Sequence, residues 1–151
     1  MPGWKLFWVV SPEVAFASTT PMRGMFRKGC KIMSKIKTVH PNLTAPAALS
    51  KKGKEAVQKV LDVMAKHGCN LAEDATGGCP AFRTPEEWAA RGESYGLKSV
   101  VVVVHDGGDV GNYFSFDREQ YNLVEDVNAA LGKIGLYAEQ CTCWYSAIYP
   151  I

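Results

Sequence analysis

Five consecutive valines, Val100 to Val104, constrain the fold more than any other feature of the chain. All are β-branched and stiff at the first side-chain torsion, which favours an extended backbone. A strand sends successive side chains to opposite faces. A run without polar alternation over 99–105 therefore predicts a strand covered on both sides. Helical patterns flank it. Val57, Val60, Leu61 and Met64 recur at spacings of three and four and predict a helix over about 51–67. Ser50 would cap it, while Lys51, Lys52, Lys54, Lys59 and Lys66 lie around the other side. Lys66 and His67 suit the negative end of its dipole, and Gly68 is a left-handed stop. Asp117, with Gln120 three residues on, predicts the start of a second helix over 118–134. Tyr121, Val124, Val127, Leu131 and Ile134 would line its buried face, with Gly135 ending it.

The remaining segments are shorter. The two prolines in 38–49 suggest an extended lead-in. Residues 69–73 read as a short strand and 74–83 as a loop. Thr84-Pro85-Glu86-Glu87 carries the cap, the first-turn proline and the returning acid of a short helix that ends near Gly92. Leu136 to Ile148 reads as one long bent strand or two short ones. Its period of two puts Tyr137, Cys141, Cys143, Tyr145 and Tyr149 on one face and Leu136, Ala138, Trp144 and Ile148 on the other. Strand, helix and strand in that order suggest a parallel βαβ-like unit with a right-handed crossover. Val57, Val60, Met64, Lys66 and Gly68 share their spacing with Val124, Val127, Leu131, Lys133 and Gly135, as a duplicated helix–glycine–strand unit would. Any amphipathic helix with a lysine and a glycine stop has the same appearance. The expected class is α/β or α+β: a small two-layer sandwich, a short sheet with two main helices.

The chain has 151 residues, enough for one domain with its own core. With 47% apolar and 21% charged residues it is neither disordered, fibrous nor a multi-pass membrane protein. No stretch approaches the roughly 18 apolar residues of a membrane span. Net charge is +2 but uneven. Residues 1–40 carry seven basic groups against Glu13, a net of +6, which leaves −4 for the rest. The division expected is a basic arm over 1–37 and a single globular domain over 38–151. Three readings of the arm compete: a secretory signal, a basic tail, or sequence upstream of a true start at Met33. Ser11-Pro12-Glu13 interrupts the apolar run that a signal would need, and Met33-Ser34-Lys35 has the form of an ordinary start. An acidic body argues against binding a nucleic-acid backbone.

The loop His105-Asp106-Gly107-Gly108-Asp109 is the leading candidate site, because open α/β sheets hold ligands past the carboxyl ends of buried strands. Two glycines let backbone amides approach an anion, and Tyr113 lies just downstream. His105 offers a general base or ligand, and Asp106 with Asp109 offers oxygens for Mg²⁺. An ordinary tight turn uses the same residues. No lysine or hydroxyl completes a phosphate loop.

Cysteines supply the second candidate. Outside the arm stand Cys69, Cys79, Cys141 and Cys143, four potential ligands for a structural Zn²⁺, with His67 or His105 as substitutes. Their spacing is not that of a knuckle, and free thiols in a reducing cytoplasm, the expected location, are commonly small core residues. Cys79, between Gly78 and Pro80, would be a nucleophile only if a histidine reached it. Tyr113, Phe114 and Phe116, with Trp144, Tyr145 and Tyr149, would make a stacking surface or seal the core.

From Val100 through His105-Asp106-Gly107-Gly108-Asp109 to Cys141-Thr142-Cys143-Trp144-Tyr145-Ser146-Ala147, the last third of the chain resembles small accessory proteins encoded by phages and prophages. The resemblance implies a stand-alone accessory protein or inhibitor and assigns no catalytic residue. The expected function is non-enzymatic binding of a protein partner or a small anionic ligand through the 105–109 loop and Tyr113. The alternatives are a small hydrolase or transferase using His105, Asp106 and Asp109, and a zinc-stabilised structural module.

Overall fold

The computed structural model describes residues 38–151. The basic arm, with its three readings, lies outside the described residues. In chain order the elements are α1 (Lys51–Lys66), β1 (Phe82–Arg83), α2 (Pro85–Ala90), β2 (Val101–Val104), α3 (Tyr121–Gly132), β3 (Leu136–Gln140) and β4 (Tyr145–Pro150). Short 3₁₀ turns occupy Pro41–Leu43, Asp109–Tyr113 and Phe116–Arg118. The fold is mixed α+β around one four-stranded antiparallel sheet of order β1-β2-β4-β3.

The βαβ-like expectation needs correcting in one respect. β2 and β3 are each antiparallel to β4, so they run in the same direction, but β4 lies between them. The tight turn after β3 sends the chain straight back as β4, and that strand takes the place beside β2. A hairpin closes a short loop, whereas pairing β3 with β2 must close a long one.

The valine run is buried on both faces. Val101 and Val103 face the helical layer, packing with Val57, Val60 and Met64 of α1, Val127 and Leu131 of α3, and Leu136 and Ile148. Val102 and Val104 face the opposite side, where Trp88 of α2 and Tyr145 cover them. Each fully buried side chain of this size contributes about 1.5–3 kcal/mol. Both long helices therefore share one sheet face, and the short α2 lies on the other.

Local signals explain the ends. The Ser50 hydroxyl accepts the Gly53 amide, and Gly68 and Gly135 follow their helices with positive φ. Thr84 and Glu87 form the reciprocal box, with bonds of 3.1 and 3.2 Å. Four expectations fail. Phe82–Arg83, expected within a loop, form β1, because they pair with Val103 and Val102 at the sheet edge. Residues 69–73 form no strand, because the Asn70 side chain accepts the Ala72 amide and its carbonyl accepts that of Glu73, closing a turn. The echo between the two helices therefore stops at the glycine. Asp117 does not cap α3: it sits inside a 3₁₀ turn, and Glu119 takes φ 57° before the helix begins at Tyr121, which stays exposed. Trp144 packs on Trp88 and Tyr145, not with Ile148, because residues 141–144 turn and break the period of two. Among the described residues, no helix is long and apolar enough to cross a membrane.

Candidate functional site

The 105–109 loop begins inside the protein. The His105 amide donates to the Trp144 carbonyl at 2.8 Å and so continues the β2–β4 pairing by one residue. Its ring is 1% exposed. Nε2 lies 2.9 Å from the Ser146 hydroxyl on β4, and the ring stacks on Phe114 with the planes 8° apart. Nδ1 is buried with no side-chain or backbone partner of good geometry. Burial pulls the imidazole pKa below its usual value, and the Arg118 charge adds to this against the pull of Asp106 and Asp117. Sealed under Phe114, the ring presents no nitrogen at the loop surface. His105 anchors the loop and stands apart from its surface.

The glycines have a structural cause. Gly77 and Gly108 both hold positive φ. A Cβ on Gly77 would stand 2.9 Å from the Gly107 Cα, and one on Gly108 would collide with the Ala75 carbonyl. That carbonyl accepts the Val110 amide at 3.0 Å. Asp74 shapes the opposing loop by accepting both the amide and the hydroxyl of Thr76, and these bonds hold its carboxyl below the ordinary range. Two backbones thus interlock where side chains would not fit. Gly107 and Gly108 are explained without an anion, and Asp106 and Asp109, both exposed, would repel one.

Beyond the glycines, Asp109 and Tyr113 turn toward the end of α1. Together with Asn112, Leu123 of α3 and the segment His67-Gly68-Cys69 they line a cleft of about 310 Å³. The ring of Tyr113 is 6.3 Å from that of His67. Burial raises the Cys69 thiol pKa, and the Asp109 charge raises it further. Burial, then Cys69 and Asp109, do the same to the Tyr113 phenol. At the rim, Asp126 takes Lys66 Nζ and His67 Nε2, each at 2.8 Å. Lys66 first and His67 second hold its carboxyl below the usual range. Asp109 has no ion pair or side-chain hydrogen bond among the described residues.

Cys69 is not placed as an activated thiol. A thiol works as a nucleophile when neighbouring positive charge lowers its pKa. At Cys69 the neighbouring charge is negative and the shift is upward. Cys79 gains no histidine either, since His67 binds Asp126 and His105 binds Ser146. The four-cysteine zinc module is overturned by placement. Cys69 packs with the helical layer, Cys79 and Cys141 with the Trp88 cluster on the other side, and Cys143 lies exposed. Among the described residues no three His, Cys, Asp or Glu side chains are placed to share a metal, so Asp106 and Asp109 gain no third protein ligand of these types. The aromatic surface dissolves into the core for Tyr113, Phe114 and Tyr145, while Phe116 is exposed.

The sequence reading thus joined residues that the fold separates. Asp109 and Tyr113 were legible as site residues, His67 only as a helix-end charge or substitute zinc ligand and Cys69 only as a zinc ligand, while Asn112, Leu123 and Asp126 carried no signal. Nothing in a linear pattern ties Lys66 to Asp126, 60 residues away. No protein-family model, curated protein or solved structure matches the chain.

Proposed function

We propose that the chain is a non-enzymatic binding protein that grips a basic side chain of a protein partner in the cleft between Asp109, Tyr113 and His67. One observation carries this reading: the exposed Asp109 carboxylate lines that cleft with no cationic partner among the described residues. Asn112 offers a further acceptor for the N–H groups of a guanidinium or ammonium, and Tyr113 walls the cleft. The volume suits one side chain, being at the lower end of small-molecule sites. Asp106 and the 105–109 ridge would meet the partner around it. Of the two partner classes that the sequence suggested, a protein fits better than a small anion. The role of a stand-alone accessory protein or inhibitor is in keeping with this.

Calorimetric titration with acetyl-arginine amide tests the reading. The expected result is weak, millimolar binding that falls by about fivefold or more in Asp109→Asn, as loss of a charge-assisted bond implies. Binding of inorganic phosphate in place of the arginine probe, or equal arginine binding by Asp109→Asn, contradicts it.

A further inference from the structure

Few large apolar side chains stay exposed among the described residues: Tyr95, Leu97, Phe116, Tyr121, Tyr137 and Ile151. Their positions are not scattered. Tyr137 and Tyr149 face each other across β3 and β4 with rings 5.7 Å apart, on the sheet face away from α1 and α3. The Tyr149 hydroxyl accepts the Gly96 amide at 3.2 Å, which brings Tyr95 and Leu97 alongside. Ile151 donates its amide to Gly135 beyond the end of β4 and shares the parity of Tyr149. In the other direction Tyr137 and Phe116 line one shallow concavity, and Phe116 touches Tyr121 at 6.4 Å. The six residues form one strip that crosses the half of the sheet left bare by α2 and rounds the β3 edge.

We propose that this strip is the interface with a second copy of the chain, packed face to face about a two-fold axis. Area is the first argument. At about 200 Å² for each large side chain, exposures from 40% for Tyr137 to 83% for Ile151 offer on the order of 670 Å². A polar rim brings this to the about 800 Å² per partner of a standard interface. Composition is the second: tyrosine and phenylalanine at the centre, with few charges, is the make-up of an interface core. Charge is the third. The concavity at one end of the strip has Lys98 as its charged lining residue, and the one at the other end has Glu139. A two-fold axis brings opposite ends together, so each Lys98 meets a Glu139. Packing is by faces and not by added strand, because Asn128 of α3 already accepts the Ala138 amide at the middle of the β3 edge, at 2.8 Å.

Sedimentation velocity of the full chain, from micromolar to sub-millimolar concentration, tests this. The expected result is a concentration-dependent monomer–dimer equilibrium that Tyr137→Glu and Leu97→Glu each weaken by about tenfold or more. Leu97 lies in an irregular segment, so its variant keeps the test open if Tyr137→Glu fails to fold, as judged by circular dichroism. A wild-type chain that stays monomeric throughout overturns the proposal. So does a dimer that neither folded variant weakens.

Discussion

The two faces of the sheet are built on different terms. The helical face is closed: α1 and α3 cover Val101, Val103, Leu136 and Ile148 completely. The other face is closed over β2 and over β4 as far as the buried Ala147, with Tyr145 meeting Trp88 and Trp144 edge to face and the two indoles tilted at 48°. Past Ala147 it opens onto the half-buried Tyr149 and the exposed Tyr137. One six-residue helix cannot shield four strands, so the amount of helix on each side decides which part of the sheet is left uncovered. The cleft at Asp109 follows the same logic. It lies where the end of α1 meets the loop after β2, at the margin of the helical layer to which Tyr113 and Cys69 belong.

The largest expected effect breaks the thinner cover. Trp88→Ala should cost about 3–5 kcal/mol of unfolding free energy in a denaturant titration, as truncation of a buried tryptophan does. Arg91, whose guanidinium lies 4.9 Å from the indole, will not replace it. A cost below about 1 kcal/mol would mean that the Trp88 cluster is not a core at all.

A second test sharpens the contrast between the buried root of the loop and its exposed rim. His105 titrates below its ordinary value when folded, so the unfolded chain binds the proton first. Stability attributable to His105 is present above the unfolded value of about 6.5 and is lost as pH falls from there toward the folded pKa. His105→Gln should flatten that part of the stability–pH curve. An unchanged slope would place the acid sensitivity elsewhere.

Smaller effects probe the edges of the comparison. Thr84→Ala removes the cap of α2 and should cost about 1 kcal/mol, read from the melting temperature. Asp126→Asn should have the smallest effect on stability, because the Lys66–Asp126 pair is exposed and screened. A large loss there would show that the pair braces α1 against α3.

Periodic signals were the legible ones. The valine run, the three-and-four spacing of α1 and the box at Thr84 each specify a local geometry that tertiary packing then confirms. Sequence was silent where one side chain redirects the backbone, as Asn70 does at residues 69–73 and the left-handed Glu119 does before α3. The site was half legible. A glycine pair after a strand is the same string whether it cradles an anion or packs on Gly77 and Ala75. His105 is one residue past β2, and only the strand pairing decides that its ring turns inward to Ser146. Sequence distance hid the pairing of the α1 end with Asp126.

On the proposed reading, partners are met at the Asp109 cleft and not at the glycine amides. The most direct measurement is a backbone amide shift map by NMR, titrating acetyl-arginine amide and inorganic phosphate in turn. The account predicts arginine-induced shifts centred on Cys69, Asp109, Asn112 and Tyr113, with no saturable response to phosphate. Saturable phosphate shifts at Gly107 and Gly108, with the cleft unmoved by arginine, would contradict it.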